Sequence, residues 1–335
     1  MHATAEGTVT YAGRFPEFRD AGFYRTVFGL RVSSLGIGTY LGAASDAADA
    51  AYTEALVAAG RQGINFFDCA INYRNQRSER SMGAALRQLR REEMVVATKA
   101  GFLTPGAVPG FLQQKDVAGG MHSMDPDFLE DQIERSLVNL GIDTLDIFYL
   151  HNPETQLDFV SREVFEERIA GAFGRLERLV AAGKIRRYGT ATWDGYRVPG
   201  QLSLPRLAEI AQREGGAEHH FHVIQLPFNL AMTEAFAGEP ESVLDSAARL
   251  GIAVVASGTL MQGKLARGLP HPPRGATQDL DTHAQRAIQF TRSTPGIAVA
   301  LVGMGRPEHV AENLAIARVS PLDLDSYLVL YPRSG

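Results

Sequence analysis

The chain has 335 residues, of which 45% are hydrophobic and 21% are charged, and this balance predicts a globular protein and argues against a disordered one. The formal net charge of −5 is small, and the basic clusters at 87–91 and 184–187 are short and lack interleaved aromatic residues. Nucleic acid is therefore not an expected partner. The single cysteine, Cys69, excludes an internal disulfide framework and fits a reducing compartment.

The first thirty residues carry charged side chains, among them Arg14, Glu17 and Asp20, where a secretory signal needs an unbroken apolar segment. No apolar run approaches the roughly 20 residues that a membrane-spanning helix needs. We therefore expect a cytoplasmic protein with no membrane partner.

Short apolar runs rich in β-branched residues alternate with longer stretches of helical period along the chain. The predicted strands are 32–38, 63–68, 94–99, 145–151, 185–191, 221–226, 252–257 and 297–303. The predicted helices are 49–60, 80–89, 126–141, 166–183, 205–214, 241–250 and 307–317. Several of these helices end in Gly, as helices with a left-handed cap do.

Helices that follow strands imply parallel pairing, and eight such units in one chain imply a closed α/β barrel of the (β/α)8, or TIM, type. No linker divides the sequence, so we expect one domain across 1–335, with an N-terminal extension at 1–23 and a C-terminal tail at 319–335. A doubly wound dinucleotide fold is the rival, because GIGTYLG at 36–42 approaches a Gly-rich phosphate turn. That fingerprint needs its third Gly at position 41, which is Leu41.

Four polar side chains stand where predicted strands end. Asp68, Lys99 and His151 each close a strand, and Tyr73 lies in the loop after Asp68. Each also has a purely structural interpretation: Asp68 as a helix cap, Lys99 as a solvated charge, His151 as a hydrogen-bonded ring and Tyr73 as an aromatic residue at the rim. Strand ends gather at one mouth of a (β/α)8 barrel, so their convergence favours an active site.

These four groups suggest proton delivery. A tyrosine phenol has a reference pKa of about 10, and an adjacent ammonium such as that of Lys99 favours the phenolate. Asp68 would hold Lys99 in place and charged, and His151 would form a hydrogen bond at the reacting oxygen. Tyr73 is then the predicted general acid or base.

Other chemistries have weaker support. Cys69 has no obvious base beside it, and the neighbouring Asp68 would raise its pKa. The histidines do not cluster at ligand spacing, and the densest group, HHFH at 219–222, leads into a predicted strand. We therefore expect no metal site.

The segment DCAINYRNQRSE at 68–79 resembles the D-T-A-x-x-Y-G-x-x-x-S-E segment of the aldo-keto reductases. VVATKAG, DIFYLHNPE, GKIRRYGTAT, VIQLPFN and GRPEHVAEN resemble later segments of that family in the same order, so the likeness runs from about residue 24 to residue 318. It is strongest to the longer-loop branch that includes bacterial reductases and potassium-channel beta subunits. The resemblance implies a (β/α)8 barrel, with Asp68, Tyr73, Lys99 and His151 as the catalytic tetrad and Tyr73 as the general acid.

The resemblance also implies an extended nicotinamide dinucleotide across the mouth. Its expected contacts are Gly38 and Thr39 under the nicotinamide, Thr192 and Gln225 at the carboxamide, Ser257, Leu260, Gln262 and Lys264 at the pyrophosphate, and Gly303, Arg306, His309, Glu312 and Asn313 around the adenosine. Arg306 could meet a 2′-phosphate, so NADP(H) is the expected form and NAD(H) the alternative. Backbone donors at a helix start suit the phosphates.

Two departures from the family pattern concern the cofactor. The Ser-Asn pair that usually follows the fifth strand is replaced by Ala191 and Thr192, which leaves the donor and acceptor set at the nicotinamide amide incomplete. Met304 and His309 occupy positions that are often polar or basic, which weakens the expected discrimination for a 2′-phosphate.

Long loops at the mouth should select the substrate. We predict that Tyr40, Phe102 and Trp193 line its pocket, with Tyr196 near the mouth. The segment 101–124 either walls that pocket or packs on the barrel as a surface loop, and it carries Phe102, Phe111, Met121, His122 and Met124. The loop 266–281 could fold over bound cofactor, and Glu79 has a supporting or adenine-side role, or is a helix-start charge.

The leading hypothesis is an NADP-dependent aldo-keto reductase that transfers hydride between nicotinamide and a small-molecule aldehyde, ketone or alcohol, in either direction. A second hypothesis is a nucleotide-sensing regulatory subunit with slow turnover. A third is non-hydride acid/base chemistry, such as elimination or epimerisation, at the same site.

Overall fold

The computed structural model describes residues 1–238, 240–269, 277 and 280–330. Its strands are β1 (Tyr24–Val27), β2 (Leu30–Ser33), β3 (Leu35–Gly38), β4 (Phe66–Asp68), β5 (Val95–Ala100), β6 (Ile147–His151), β7 (Tyr188–Ala191), β8 (Phe221–Pro227), β9 (Ala253–Ser257) and β10 (Ile297–Gly303). Its α-helices are α1 (Ala5–Gly13), α2 (Pro16–Asp20), α3 (Asp46–Gln62), α4 (Arg77–Leu86), α5 (Pro126–Leu140), α6 (Arg162–Ala181), α7 (Leu204–Gly215), α8 (Val243–Arg249), α9 (Lys264–Arg267), α10 (His283–Ser293), α11 (Pro307–Leu314) and α12 (Leu324–Leu330). Short 3-10 helices lie at Arg91–Glu93, Gln114–Asp116, Pro153–Asp158, Glu234–Phe236 and Ala315–Arg318.

Strands β3 to β10 form a closed barrel in chain order, and β10 pairs with β3 to complete it. Every neighbouring pair in the barrel is parallel. The predicted (β/α)8 barrel is therefore confirmed. Its register puts Gly303 opposite Gly38, and Gly38 opposite Asp68, so these strand ends lie level at the same mouth.

The predicted strand at 32–38 is wrong as a single element, because Ser34 separates β2 from β3. The backbone N–H of Ser34 donates to the carbonyl of Phe23, while its carbonyl accepts from Ala300. The chain thus leaves the β1–β2 hairpin at Ser34 and enters the barrel. Helix α10, between β9 and β10, also has no counterpart among the predicted elements.

The predicted N-terminal extension contains α1 and α2, and both pack on the barrel. The Tyr11 hydroxyl donates to the Gly60 carbonyl at 2.9 Å, and Phe18 is buried. Ala3, Leu30 and Val32 join the apolar cluster inside the barrel. The start of the chain therefore closes the end of the barrel opposite the mouth.

Apolar side chains inside the barrel form one cluster, and those between the barrel and its helices form a larger one. The interior cluster includes Phe66, Val95, Ile147, Tyr149 and Val223, which come from strand positions that point inward. Burial of this apolar surface makes the barrel a rigid support, so strand-end side chains are held in fixed relative positions.

Most barrel helices begin at a side chain that accepts a backbone N–H, such as Ser45 before α3, Asp125 before α5 and Ser203 before α7. Gly141 follows α5 with a left-handed φ of 65°, as the sequence predicts. Within the described ranges, none of the helices combines the length and the apolar character needed to cross a bilayer.

Candidate active site

A buried ion pair lies at the mouth of the barrel. The Nζ of Lys99, at the end of β5, donates to Asp68 Oδ1 at 2.5 Å and to the Cys69 carbonyl at 2.8 Å. Gln225, on β8, donates from Nε2 to the other Asp68 oxygen at 2.9 Å. Three strands thus fix one carboxylate and one ammonium.

The electrostatics of this pair keep Lys99 charged. Burial disfavours the ammonium, but the Asp68 carboxylate and Tyr73 outweigh burial and raise the pKa of Lys99. Burial raises the pKa of Asp68, and the bonds from Lys99 and Gln225 offset part of that shift. Asp68 therefore lies where it could hold Lys99 in place, and that role stays a prediction.

Tyr73 and His151 lie beside this pair. The Lys99 ammonium is 4.8 Å from the centre of the Tyr73 ring, and the Tyr73 and His151 rings meet edge to face at 5.6 Å. Burial raises the pKa of Tyr73, and Lys99 opposes this shift without reversing it. The predicted effect of Lys99 is present, but the phenol stays protonated at neutral pH.

His151 is buried, and its Nδ1 has no hydrogen-bond partner among the described residues. Burial, the nearby Lys99 charge and His122 all lower the pKa of His151 well below its ordinary value. His151 is therefore a neutral imidazole with one N–H, which can donate a hydrogen bond to an oxygen between it and Tyr73.

Aromatic rings flank the Tyr73–His151 pair on both sides. Tyr40 meets Tyr73 at 4.9 Å, and Phe102 meets His151 at 5.3 Å. Tyr40 is 56% exposed, so it offers an apolar face at the rim. Trp193 is 41% exposed and lies across the mouth beside Gly258, whereas Tyr196 is buried and bonded to Thr190. Tyr40, Phe102 and Trp193 are thus at the mouth, and Tyr196 does not line it.

A second histidine supports the site from behind. His122, in the loop 101–125 between β5 and α5, is fully buried and places Nε2 at 2.8 Å from the His151 carbonyl. Gln156 Nε2 lies 3.1 Å from His122 Nδ1, and Arg168 donates to Gln156 Oε1 at 2.7 Å. Sequence reasoning identified His122 only as a possible pocket wall and missed Gln156 and Arg168.

Glu154 anchors the loop that follows β7. Its Oε1 accepts the backbone N–H groups of Trp193, Asp194 and Gly195 at 2.9, 3.1 and 3.1 Å. Glu154 and Gln156 share the 3-10 helix Pro153–Asp158, directly after His151. This short helix therefore connects both walls of the mouth to the end of β6. The HNPE sequence at 151–154 was the only available signal for Glu154.

Glu79 lies outside the mouth. It is fully buried in the first turn of α4, and it accepts from Thr98 Oγ1 at 2.6 Å and from Asn139 Nδ2 at 2.8 Å. Burial raises the pKa of Glu79. These contacts join α4, β5 and α5 and leave no surface for an adenine, so they favour the supporting role.

Several residues expected to contact a nicotinamide are already engaged within the protein. The Thr39 hydroxyl is buried between the Asp68 carbonyl, 3.0 Å away, and Ser78 Oγ, 2.5 Å away. Thr192 places its hydroxyl 3.5 Å from the Gln225 carbonyl, and the Ala191 methyl packs inside the barrel. Gly38 is partly exposed at the end of β3.

The residues expected around the pyrophosphate and adenosine follow β9 and β10, next to β3 in the barrel. Gln262 and Lys264 are exposed, and Ser257 and Leu260 are partly exposed. Gly303 at the end of β10, Arg306 before α11, and His309 and Glu312 within α11 are exposed, whereas Asn313 is buried with no partner for Oδ1 among the described residues. Most of the loop 266–281 (270–276, 278 and 279) lies outside the described residues.

The surroundings of Cys69 and of the histidines at 219–222 do not favour a role as a nucleophile or as metal ligands. Burial raises the pKa of Cys69, and Glu79 and Asp68 add to this effect, so the thiol is a poor nucleophile. His220 in the HHFH segment bonds Glu177 at 2.7 Å. Within the described part of the chain, no group of three or more His, Cys, Asp or Glu residues could hold a metal ion.

We expect the protein to lose stability in mild acid. Burial lowers the pKa of His122 from 6.5 to about 4. In the unfolded chain this imidazole takes up a proton near pH 6.5, whereas in the folded protein it does so only near pH 4. The free energy of unfolding should therefore fall by about 3 kcal/mol as the pH drops from 6.5 to 4. Urea unfolding at neutral pH and near the lower limit measures this loss, which His122→Gln should reduce. An equal acid loss in that variant would contradict the assignment.

Comparison with known proteins places the sequence in a family. The model of the aldo/keto reductase family matches residues 34–328. The D-threo-aldose 1-dehydrogenase of a Pseudomonas species is 34% identical over 178 residues, which cover 48% of this chain and only 50% of that protein. A Schizosaccharomyces pombe protein assigned as a voltage-gated potassium channel beta subunit is 26% identical over 329 residues, 85% of each chain.

The structural comparison supports the same fold. The Klebsiella pneumoniae aldo-keto reductase solved in complex with NADPH superposes with a TM-score of 0.67 at 22% identity, over 93% of this chain and 96% of that one. At that identity the superposition establishes the barrel alone. The family assignment comes from the match over residues 34–328.

Proposed function

This chain belongs to the aldo/keto reductase family, and on that premise we propose that it is an NADP(H)-dependent oxidoreductase that interconverts a small aldehyde or ketone with its alcohol. The observation that carries the proposal is the Lys99 ammonium, held at 2.5 Å from Asp68 and 4.8 Å from the centre of the Tyr73 ring, beside a neutral His151. This arrangement suits proton transfer to a carbonyl oxygen.

Each residue has a distinct part in that transfer. Tyr73 holds a proton on its hydroxyl oxygen at neutral pH, because burial raises its pKa. As the hydroxyl proton passes to the substrate oxygen, the Lys99 charge stabilises the phenolate that remains. The His151 N–H donates to the same substrate oxygen, and Asp68 keeps Lys99 oriented. In the alcohol-oxidising direction, the phenolate takes the proton back.

When bound, the nicotinamide would supply or accept the hydride. The residues present fit such a cofactor. Asn313 Oδ1 is a buried acceptor without a partner in the described structure, and an adenine amino group is a donor. Arg306 stands exposed at the start of α11 and could pair with a 2′-phosphate, which supports NADP(H) over NAD(H).

The first test is a titration of the purified protein with NADPH and with NADH, followed by nicotinamide absorbance over a panel of aldehydes and ketones. We expect preferential binding of NADPH and carbonyl-dependent oxidation. Arg306→Gln should weaken NADPH binding by about 10-fold and leave NADH binding nearly unchanged, because only NADPH carries the 2′-phosphate. Arg61→Gln, an exposed arginine at the opposite end of the barrel, is the matched control. Equal loss of both nucleotides in Arg306→Gln would contradict the assignment of Arg306.

The similarity to a potassium-channel beta subunit over 85% of the chain favours one alternative, a nucleotide-sensing subunit with slow turnover. Tight NADPH binding without turnover on any carbonyl would support it. Absence of binding to either nucleotide would contradict both functions.

A further inference from the structure

The hydrogen bonds around His122 have only one consistent direction. A carbonyl oxygen accepts, so His122 Nε2, at 2.8 Å from the His151 carbonyl, must carry the ring proton. Nδ1 is then an acceptor, and it receives the Gln156 amide N–H at 3.1 Å. The Gln156 oxygen in turn accepts from Arg168 at 2.7 Å. Each residue in this series therefore donates to the next, from Arg168 through Gln156 and His122 to the His151 carbonyl, and the His122 ring carries its proton on Nε2.

This network is built into the protein interior. His122 and Gln156 have no exposed surface, so each would incur the cost of an unsatisfied buried polar group if its partner were lost. Arg168 also donates to the Lys115 carbonyl at 3.0 Å, which ties the network to the loop 101–125 at a second point.

The His151 backbone is where this network meets the catalytic residues. Asn152 has a left-handed φ of 47°, and its N–H donates to the Ala191 carbonyl at 2.6 Å. The peptide group between His151 and Asn152 is thus held by β7 on its N–H side and by His122 on its carbonyl side. Asn is one of the few residues besides Gly that adopts this conformation readily, and the two hydrogen bonds fix the orientation of the peptide group.

The side chains around His122 and His151 are closely packed. The Phe102 ring meets His122 at 5.1 Å and His151 at 5.3 Å, both edge to face. A Cβ at Gly101 would lie 2.5 Å from His122 Nε2 and 2.7 Å from the His151 carbonyl oxygen. Only glycine allows this close approach, so the loop 101–125 is seated directly against the end of β6.

We propose that His122 is a positioning residue for the carbonyl-reducing site: it fixes the His151 backbone and, with Phe102, the direction in which the His151 ring faces the substrate oxygen. The proposal rests on the proposed function. His122 makes no hydrogen bond, ion pair or ring contact with Tyr73, Lys99 or Asp68, and it acts through His151 alone. A positioning group of this kind affects turnover because a small misplacement of a reacting group costs rate.

The test compares two variants of the full chain. His122→Phe keeps an aromatic ring against Phe102 but removes both nitrogens, whereas His122→Gln keeps an N–H that can reach the His151 carbonyl. We expect His122→Phe to lower kcat by about 10-fold with NADPH Kd and KM little changed, and His122→Gln to recover most of that loss. Equal kcat for wild type and His122→Phe, or equal losses in the two variants, would overturn the proposal.

A second measurement does not depend on turnover. In protein labelled with 15N at histidine, the ring signals of His151, assigned with His151→Gln, should shift and broaden in His122→Phe and stay close to wild type in His122→Gln. Unchanged His151 signals in His122→Phe would overturn the positioning role of His122, whether or not the wild type reduces a carbonyl. Absence of carbonyl reduction by the wild type would instead reject the proposed function. Should His122→Phe fail to fold, Gln156→Leu is the second variant. It retains the imidazole, removes the donor to Nδ1 together with the acceptor for Arg168, and should give the same changes in smaller measure.

Discussion

Tyr73→Phe should abolish carbonyl reduction, with kcat lower by about 10²- to 10⁴-fold, while NADPH affinity changes little. The variant keeps the ring that packs at 4.9 Å from Tyr40 and 5.6 Å from His151, and it removes only the hydroxyl. That hydroxyl holds the proton which the substrate oxygen needs. Steady-state kinetics with a carbonyl from the panel, together with NADPH titration, measure the two effects separately.

Tyr24→Phe is the matched control for this experiment. The Tyr24 hydroxyl donates to the Gly63 carbonyl at 2.9 Å, in the hairpin at the opposite end of the barrel from the mouth. Its removal should affect stability but leave turnover near the wild-type value. If NADPH binding were lost together with turnover in Tyr73→Phe, Tyr73 would be a structural residue and its assignment as the general acid would be wrong.

Asp68→Asn should reduce the free energy of unfolding by about 3–5 kcal/mol, because it leaves a buried ammonium without its carboxylate. Lys99 is fully buried, and it would keep only neutral acceptors, the Cys69 carbonyl at 2.8 Å and the amide oxygen of the new side chain. Turnover should also fall, since Lys99 would no longer be held beside Tyr73. Urea unfolding at neutral pH and the carbonyl assay give the two results.

Two further variants make this prediction specific. The double variant Asp68→Asn/Lys99→Met removes both charges, so it should regain much of the lost stability and remain inactive. Asp20→Asn breaks the exposed Arg19–Asp20 pair, 2.9 Å long, and should change stability little. Wild-type stability in Asp68→Asn would show that the buried pair does not contribute as we infer.

The barrel could be predicted from local sequence because each strand is a short apolar run and each following helix has an apolar face. The apolar runs that end at Asp68, Lys99 and His151 each predict a strand from local sequence alone, and the structure has strands β4, β5 and β6 there. The hairpin β1–β2 and the separation at Ser34 could not be predicted in this way, since two consecutive apolar strands read as one run. Helix α10 buries several polar residues, among them Gln289 and Arg292, so its low apolar content hides a buried helix from a reading of the sequence.

The sequence by itself determined which side chains stand at the strand ends, and therefore which four groups meet at the mouth, because a parallel barrel brings all of its strand ends together. Only the tertiary structure decided how those groups are held. Gln225 bonds Asp68 across 157 positions of sequence, Glu154 binds the loop at 193–195, and His122 bonds the His151 carbonyl across 29 positions. Tertiary structure also decided the pKa of Tyr73, because burial outweighs the Lys99 charge, and burial depends on what the whole fold packs around a residue.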